Sequence, residues 1–243
     1  MKINKIKLAL GLVAGLSVAM PMIASAAADQ EKAMANADNW AAPRGNYSNQ
    51  AYSTLSQINQ GNVKNLKAAW TFATGVNRGH EGSPVVVGNM MYVHTAFPNN
   101  VYALDLNDNQ KIVWSYFPKQ DPSVQAVLCC DNVNRGLGYG DGKIILNQND
   151  GMVVALDAKT GKKIWDVRNV DPKVGATNTN APHVIKDKIL TGCSGAEFGV
   201  RCFMAAYNLK DGSLAWKAYS TGPDAEVLIG KDFNKDTPLY SAL

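Results

Sequence analysis

Between residues 83 and 219, short apolar runs alternate with polar turns at a fixed interval. The stretches VYALDLNDNQKIVWSY (101–116), VVALDAKTGKKIWDVR (153–168) and MAAYNLKDGSLAWKAY (204–219) share one layout: an apolar run, a polar turn, and a run carrying a tryptophan. Trp114, Trp165 and Trp216 stand 51 and 51 residues apart. The turns LNDNQK, AKTGKK and LKDGSL are rich in Asn, Asp and Gly, which suits tight hairpins. Upstream, SPVVVGNMMYV (83–93), GLGYGDGKIIL (136–146) and APHVIKDKILT (181–191) line up in the same way and predict two further strands per unit. NLKAAWTFATG, around Trp70, predicts a tryptophan strand from a neighbouring unit. Four strands in about 50 residues is the size of one β-propeller blade. One such unit cannot bury its own hydrophobic face, which argues against three independent domains. The predicted fold is therefore all-β, a β-propeller of about three to four four-stranded blades, with a solenoid as the main alternative. Propellers close with about four to eight blades. Three units and a leading piece predict the N-terminal part of a longer propeller; a small propeller closed by oligomerisation is the other reading.

The N-terminus has a different pattern. MKINKIKLALGLVAGLSVAMPMIASAAA places Lys2, Lys5 and Lys7 before an apolar run from Leu8 to Ala19, then Pro21 and the small residues ASA. This is the layout of a secretory signal peptide, with cleavage predicted after Ala26. The apolar run is short for a membrane span. The expected mature domain is 27–243, exported to the periplasm with no membrane span once the leader is removed. Removing the leader also changes the charge. The chain has 24 basic and 20 acidic residues, and losing three lysines leaves 21 against 20. A near-neutral chain without a long basic run gives no sign of nucleic-acid binding.

Equivalent slots of a propeller face a shared axis, so the repeat itself nominates residues. Three residues before Pro84 stands Glu81, and three before Pro182 stands Thr179. The matching slot of the middle unit is Asn134, with Arg135 beside it. A carboxylate, a hydroxyl and a guanidinium at one end of a channel suit a ligand bearing carboxylates; polar filling of loops is the plain alternative. The connection that units one and two make with AFPNN and QND is swollen in unit three to GCSGAEFGVRC (192–202). Such an insertion is often functional. Ser194, Gly195 and Ala196 are small enough for backbone N–H groups to approach a ligand, and Glu197 offers hard oxygens to a cation such as Ca²⁺. Cys129 and Cys130 are adjacent, with α-carbons necessarily ~3.8 Å apart, closer than the ~4.4–6.8 Å of an ordinary disulfide. Either the pair stays reduced or it forms a strained bond with a use. His80, His94 and His183 lack zinc-like spacing, and neither Gly-rich phosphate loops nor a Gly-x-Ser-x-Gly elbow occurs.

The segments EGSPVVVGNMMYVHT, CCDNVNRGLGYGDGKI, TNTNAPHVIKDKI and GCSGAEFGVR resemble the large, catalytic subunit of methanol dehydrogenases dependent on pyrroloquinoline quinone (PQQ). The likeness runs from about Trp40 to about Asp232. It implies an eight-bladed propeller holding PQQ and one metal ion, Ca²⁺ or a lanthanide; the wording around GCSGAEFGVRC leans toward the lanthanide form. Carried over by residue, it implies a Cys129–Cys130 disulfide packed on one PQQ face. Glu81, Arg135, Thr179, Ser194, Gly195 and Ala196 would contact the cofactor, and Glu197 would ligate the metal. The implied reaction is oxidation of a primary alcohol, methanol to formaldehyde first among them, with electrons passing to a cytochrome c. The implied assembly is a homodimer or a complex with a small subunit. A quinoprotein for another alcohol, or a non-catalytic propeller binding protein partners, are the competing readings. The general-base aspartate, an Asn ligand and the second face of the PQQ site are expected beyond Leu243, so the chain is expected to be an inactive fragment. One departure is Cys202, where the family usually has Gly. A bridge to Cys193 and a pair of unbridged thiols are both open at this point.

Overall fold

The structure, a computed structural model, describes residues 22–222 and Val227, with side chains from Asp29 onward. Twelve strands among these residues form three antiparallel four-stranded sheets, each in simple sequence order. Sheet one holds β1 (Val85–Val87), β2 (Met90–His94), β3 (Val101–Asp105) and β4 (Lys111–Tyr116). Sheet two holds β5 (Leu137–Gly140), β6 (Lys143–Asn147), β7 (Met152–Asp157) and β8 (Lys163–Arg168). Sheet three holds β9 (His183–Ile185), β10 (Lys188–Thr191), β11 (Phe203–Asn208) and β12 (Leu214–Tyr219). These are the strands that the repeat predicts. Even the irregularities repeat: the ladder between third and fourth strands shifts register at Ala103/Leu104, Ala155/Leu156 and Ala206/Tyr207. A bulge bends the outer strand and increases its twist.

Alternation of side chains along the strands sends each sheet's residues to two different cores. In sheet two, Ile144, Leu146, Val154 and Leu156 pack with Val85, Tyr92, Val101 and Trp114 of sheet one. The intervening Ile145, Val153 and Ala155 pack with Val184, Ile189, Ala205 and Tyr207 of sheet three. The middle sheet is thus buried on both faces. Its outer strand β8 and the outer strands β4 and β12 are mostly exposed.

Two regions differ from the sequence-based expectation. The segment around Trp70 forms no strand, and Trp70 is exposed. A strand exists through its ladder, and no strand among the described residues pairs with this segment. Its attachment is through side chains: Tyr102 Oη donates to the Thr74 carbonyl at 2.9 Å, and Phe72 meets the Tyr102 ring edge-on at 5.2 Å. The second difference is α1 (Met22–Ala35), an alanine-rich helix that the leader pattern does not predict; alanine is the strongest helix former. The expected cleavage point after Ala26 falls inside α1, while leader residues 1–21 lie outside the described residues. Gln30 anchors this helix. Its buried Nε2 donates to the carbonyls of Tyr139 (2.9 Å) and Val184 (2.7 Å), on the free edges of β5 and β9, and Tyr47 Oη donates to its Oε1 at 2.8 Å. Trp40 pairs with Val86 on the free edge of β1. Among the described residues, no helix is long and apolar enough to cross a membrane.

Candidate functional site

The loops leading into β1, β5 and β9 are laced together by backbone contacts. Ser83 bridges Gly136 in parallel, and the Arg135 N–H donates to the Thr179 carbonyl at 3.2 Å. The swollen connection of sheet three joins the same cluster, because Thr177 and Ser194 exchange both backbone hydrogen bonds, at 3.1 and 2.9 Å. Side chains complete the link. Arg135 Nε lies 3.2 Å from Glu81 Oε2. Its Nη1 donates to Thr179 Oγ1 at 3.0 Å and to the Thr179 carbonyl at 3.3 Å. Thr179 Oγ1 lies 2.8 Å from Ser194 Oγ. Glu81, Arg135, Thr179 and Ser194, drawn from three repeats, therefore form one continuous polar chain across all three sheets.

Stability does not explain the Glu81–Arg135 end of this chain. The Glu81 and Arg135 side chains are 46% and 39% exposed, and an exposed ion pair contributes at most about 1 kcal/mol. The exposed side faces a cavity of about 570 Å³ lined by Trp40, Pro43, Glu81, Ser83, Arg135 and His183, among others. Of the two middle-unit candidates, Arg135 is the one that reaches outward. Its neighbour Asn134 is buried, with Nδ2 donating to the Asn147 carbonyl at 2.7 Å and Oδ1 accepting from the Gly136 N–H at 3.2 Å.

Buried asparagines fix the loops behind the site. Asn147 Nδ2 reaches from β6 to the Asn180 carbonyl (3.0 Å) and Thr191 Oγ1 (2.8 Å). Asn149 Nδ2 donates to the carbonyls of Val133 and Asn178, both at 3.0 Å, while Asn99 Nδ2 donates to Asn149 Oδ1 at 2.7 Å. His94 is buried beneath the same loops, and burial drives its imidazole down to about 4. These residues escape sequence reading because only burial distinguishes them from ordinary polar loop residues. The repeated asparagine at 99 and 149, 50 residues apart, was the available signal.

Cys129 and Cys130 are joined in the structure, with their α-carbons 3.8 Å apart. The chain leaves the pair through three consecutive left-handed residues, Cys130, Asp131 and Asn132, with φ of 64°, 68° and 62°. This region is unfavourable for a residue with a Cβ, less so for Asp and Asn than for Cys. The surroundings hold them: the Phe97 N–H donates to the Asn132 carbonyl at 2.9 Å, and Arg78 lies 3.9 Å from Asp131. In the connection 192–202, Cys193 and Cys202 are joined with α-carbons 5.6 Å apart, so the loop is closed at both ends. Gly195 has φ 122°, and a Cβ there would lie 2.3 Å from the Gly175 carbonyl oxygen. Only glycine fits this bend. Ala196 and Glu197 follow in a short 3₁₀ turn, Ala196–Phe198, with the Glu197 carboxylate exposed. Among the described residues, no group of three His, Cys, Asp or Glu side chains could hold a metal ion. Glu197 thus stands as a single ligand candidate. The polar chain linking Glu81 to Ser194 does not run through it or through the Cys129–Cys130 pair.

This architecture has relatives. The family model for the PQQ-type glucose/ethanol/alcohol dehydrogenase β-propeller domain matches residues 40–237. The chain belongs to this family. A lanthanide-dependent methanol dehydrogenase of Methylorubrum extorquens is 54% identical over 238 residues, covering 95% of this chain and 39% of the relative. Subunit 1 of a methanol dehydrogenase (cytochrome c) from the same organism is 54% identical over 209 residues, covering 84% of this chain and 33% of the relative. A solved europium-containing methanol dehydrogenase aligns with a TM-score of 0.83 at 50% identity, covering 87% of this chain and 37% of that one. The chain therefore spans well under half the length of these relatives. The matched domain is a β-propeller, and the three sheets here form part of one.

Proposed function

We propose that this chain supplies one side of the PQQ site of a periplasmic alcohol dehydrogenase that oxidises methanol to formaldehyde. The observation that carries the reading is the polar chain Glu81–Arg135–Thr179–Ser194, assembled from three repeats, whose Glu81 and Arg135 end lines one cavity. Its chemistry fits the polar edge of PQQ. A guanidinium and two hydroxyls are suited to the carboxylates and carbonyls of such a ligand. Glu81 offsets the Arg135 charge and holds its Nε arm. Thr179 fixes the other arm and positions the Ser194 hydroxyl. Gly195 and Ala196 would offer backbone N–H groups to the same edge, and the Cys129–Cys130 pair would offer a polarizable sulfur surface to the ring. When bound, PQQ supplies a quinone that accepts two electrons from the alcohol. Glu197 would contribute one carboxylate to a hard cation, either Ca²⁺ or a lanthanide. The relatives named for lanthanide dependence and for europium favour the lanthanide. A cytochrome c is the proposed electron acceptor, and a homodimer or a small-subunit complex the proposed assembly. The leader-type sequence pattern of residues 1–26 supports the periplasmic assignment.

The test uses the full-length protein prepared without cofactor. Adding PQQ with La³⁺ or Ca²⁺ should produce a stoichiometric bound-cofactor absorbance and methanol-dependent dye reduction. Absence of PQQ binding under either metal would overturn the reading. Binding with turnover of a longer alcohol, but not methanol, would retain the site and reassign the substrate.

A further inference from the structure

His94 lies at the end of β2 and is only 5% exposed. Its ring touches backbone on both sides of the Glu81–Arg135 pair. Nε2 lies 3.1 Å from the Asn134 carbonyl, the residue before Arg135. On the other side the ring fills the space where a side chain at residue 82 would stand. A Cβ built on Gly82 would come within 2.1 Å of His94 Cε1, 2.3 Å of its Nε2 and 3.0 Å of the Arg135 carbonyl carbon. Gly82 directly follows Glu81. One imidazole is therefore wedged between the segment that carries the carboxylate and the segment that carries the guanidinium.

The wedge has a defined tautomer. A carbonyl only accepts, so Nε2 carries the hydrogen and donates to Asn134. Nδ1 is then a bare acceptor, and it has no hydrogen-bond partner among the described residues. A core filled only for packing would be served better by an apolar ring, since an unmet buried polar atom carries a cost. The retained donor and the missing Cβ at Gly82 share one consequence: they set the separation of the Glu81 and Arg135 loops. Burial, which holds the ring neutral over the physiological range, is consistent with this fixed role.

We infer that His94 is a positioning residue for the Glu81–Arg135 pair, and that it sets the affinity of the site for PQQ by hydrogen-bonding Asn134 and wedging against Gly82. The inference rests on the proposed PQQ site. It differs from that proposal because His94 lies beneath the site and touches none of the cofactor-facing atoms assigned above.

The experiment measures PQQ dissociation constants by titration of the full-length apoprotein at a saturating concentration of one metal, alongside melting temperatures. His94→Leu removes the donor and should weaken PQQ binding by about tenfold, the effect of one lost hydrogen bond at the upper end of the usual range. His94→Gln restores a side-chain N–H and should recover most of the affinity. Tyr92→Phe deletes a different buried hydrogen bond in the same strand, from Tyr92 Oη to the Ala158 carbonyl at 3.1 Å; it should lower the melting temperature without moving the dissociation constant. If His94→Leu binds PQQ like wild type, or if affinity follows melting temperature across all three variants, the positioning role is overturned. Should His94→Leu fail to fold, His94→Phe, which keeps a ring in the wedge without the donor, takes its place: about tenfold weaker binding with a melting temperature no lower than that of Tyr92→Phe supports the inference, and wild-type binding, or weakening that tracks stability in both, rejects it. Failure of the underlying PQQ reading is separately visible, because the wild-type protein itself would then show no binding.

Discussion

At the residue scale the informative contrast is between Arg135 and His94. The position of Arg135 was legible because the repeat places its slot beside those of Glu81 and Thr179, and the structure brings the three side chains together; carboxylate recognition is the role proposed for it. Its geometry yields a sharp expectation. Nε and Nη1 point to two different partners, Glu81 and Thr179, and lysine has no planar fork with which to hold both. Arg135→Lys in the full-length protein should weaken PQQ binding by at least about tenfold, while the melting temperature barely changes because the ion pair is exposed. Equal affinity in titration would count against the proposed role of Arg135. His94 was not legible, since a lone histidine without metal-type spacing has no visible signature and its meaning lies in its burial. It carries a pH dependence whose sign is fixed. The free imidazole titrates near 6.5, and in the fold near 4. Between these values the unfolded chain takes up a proton that the folded chain refuses, so stability falls as pH drops from about 6.5 toward 4 and is unaffected above that window. The gap corresponds to roughly 3 kcal/mol at pH 4. His183, also pushed down by burial, acts in the same direction. Asp150, pushed up by burial, acts in the opposite direction at the acidic end. The contribution of His94 is therefore read as a difference: urea midpoints of wild type should fall more steeply between pH 6.5 and 4.5 than those of His94→Gln. Parallel slopes would contradict the assignment.

At the element scale the tryptophan spacing was the strongest signal in the sequence, and the structure supplies its cause. Trp114 Nε1 donates to the Ala158 carbonyl at 3.0 Å, and Trp165 Nε1 donates to the Leu209 carbonyl at 3.3 Å, each 44 residues on. Each indole also covers a turn glycine of the next sheet. A Cβ on Gly161 (φ 70°) or on Gly212 (φ 74°) would lie 2.6 Å from the ring of Trp114 or Trp165. The interval thus records contact between successive sheets as well as blade length. What the interval could not show is which tryptophans are docked within the described residues. Trp114 is 8% exposed, Trp216 45% and Trp70 40%. In this chain Trp114→Phe loses a buried hydrogen bond and packing, and should cost about 2 kcal/mol. Trp216→Phe should stay within about 0.5 kcal/mol, as for an exposed position. Urea denaturation of the two variants checks this, and similar losses would show that exposure does not set the contribution of these rings.

At the scale of the whole molecule, the repeat made the architecture legible because every unit obeys one alternating pattern and each buries its faces against neighbours. The N-terminal segment was harder to read. Helix α1 and the chain through Trp40 attach to the free edges of β1, β5 and β9 through Gln30 and backbone pairing, contacts that leave no periodic trace. The stacked arrangement has a consequence of its own. Stability of such an array is shared between units and the interfaces linking them. Neighbouring residues of one strand in the middle sheet serve different interfaces: Ile144 belongs to the core shared with sheet one, and Ile145 to the core shared with sheet three. Both are fully buried. Truncation of either to alanine should cost about 2–4 kcal/mol, yet the damage should fall on opposite sides. In hydrogen exchange, Ile144→Ala should speed exchange chiefly in β2 and β3, and Ile145→Ala chiefly in β10 and β11. The far sheet should be nearly unchanged in each case. Uniform acceleration across all three sheets in both variants would mean that the array unfolds as one cooperative block, and that the interface-by-interface description fails. A polarised response would show that the Glu81–Arg135 and Arg135–Thr179 contacts, which straddle these two interfaces, can be loosened independently. The rigidity of each half of the candidate site would then be set by a different face of β6.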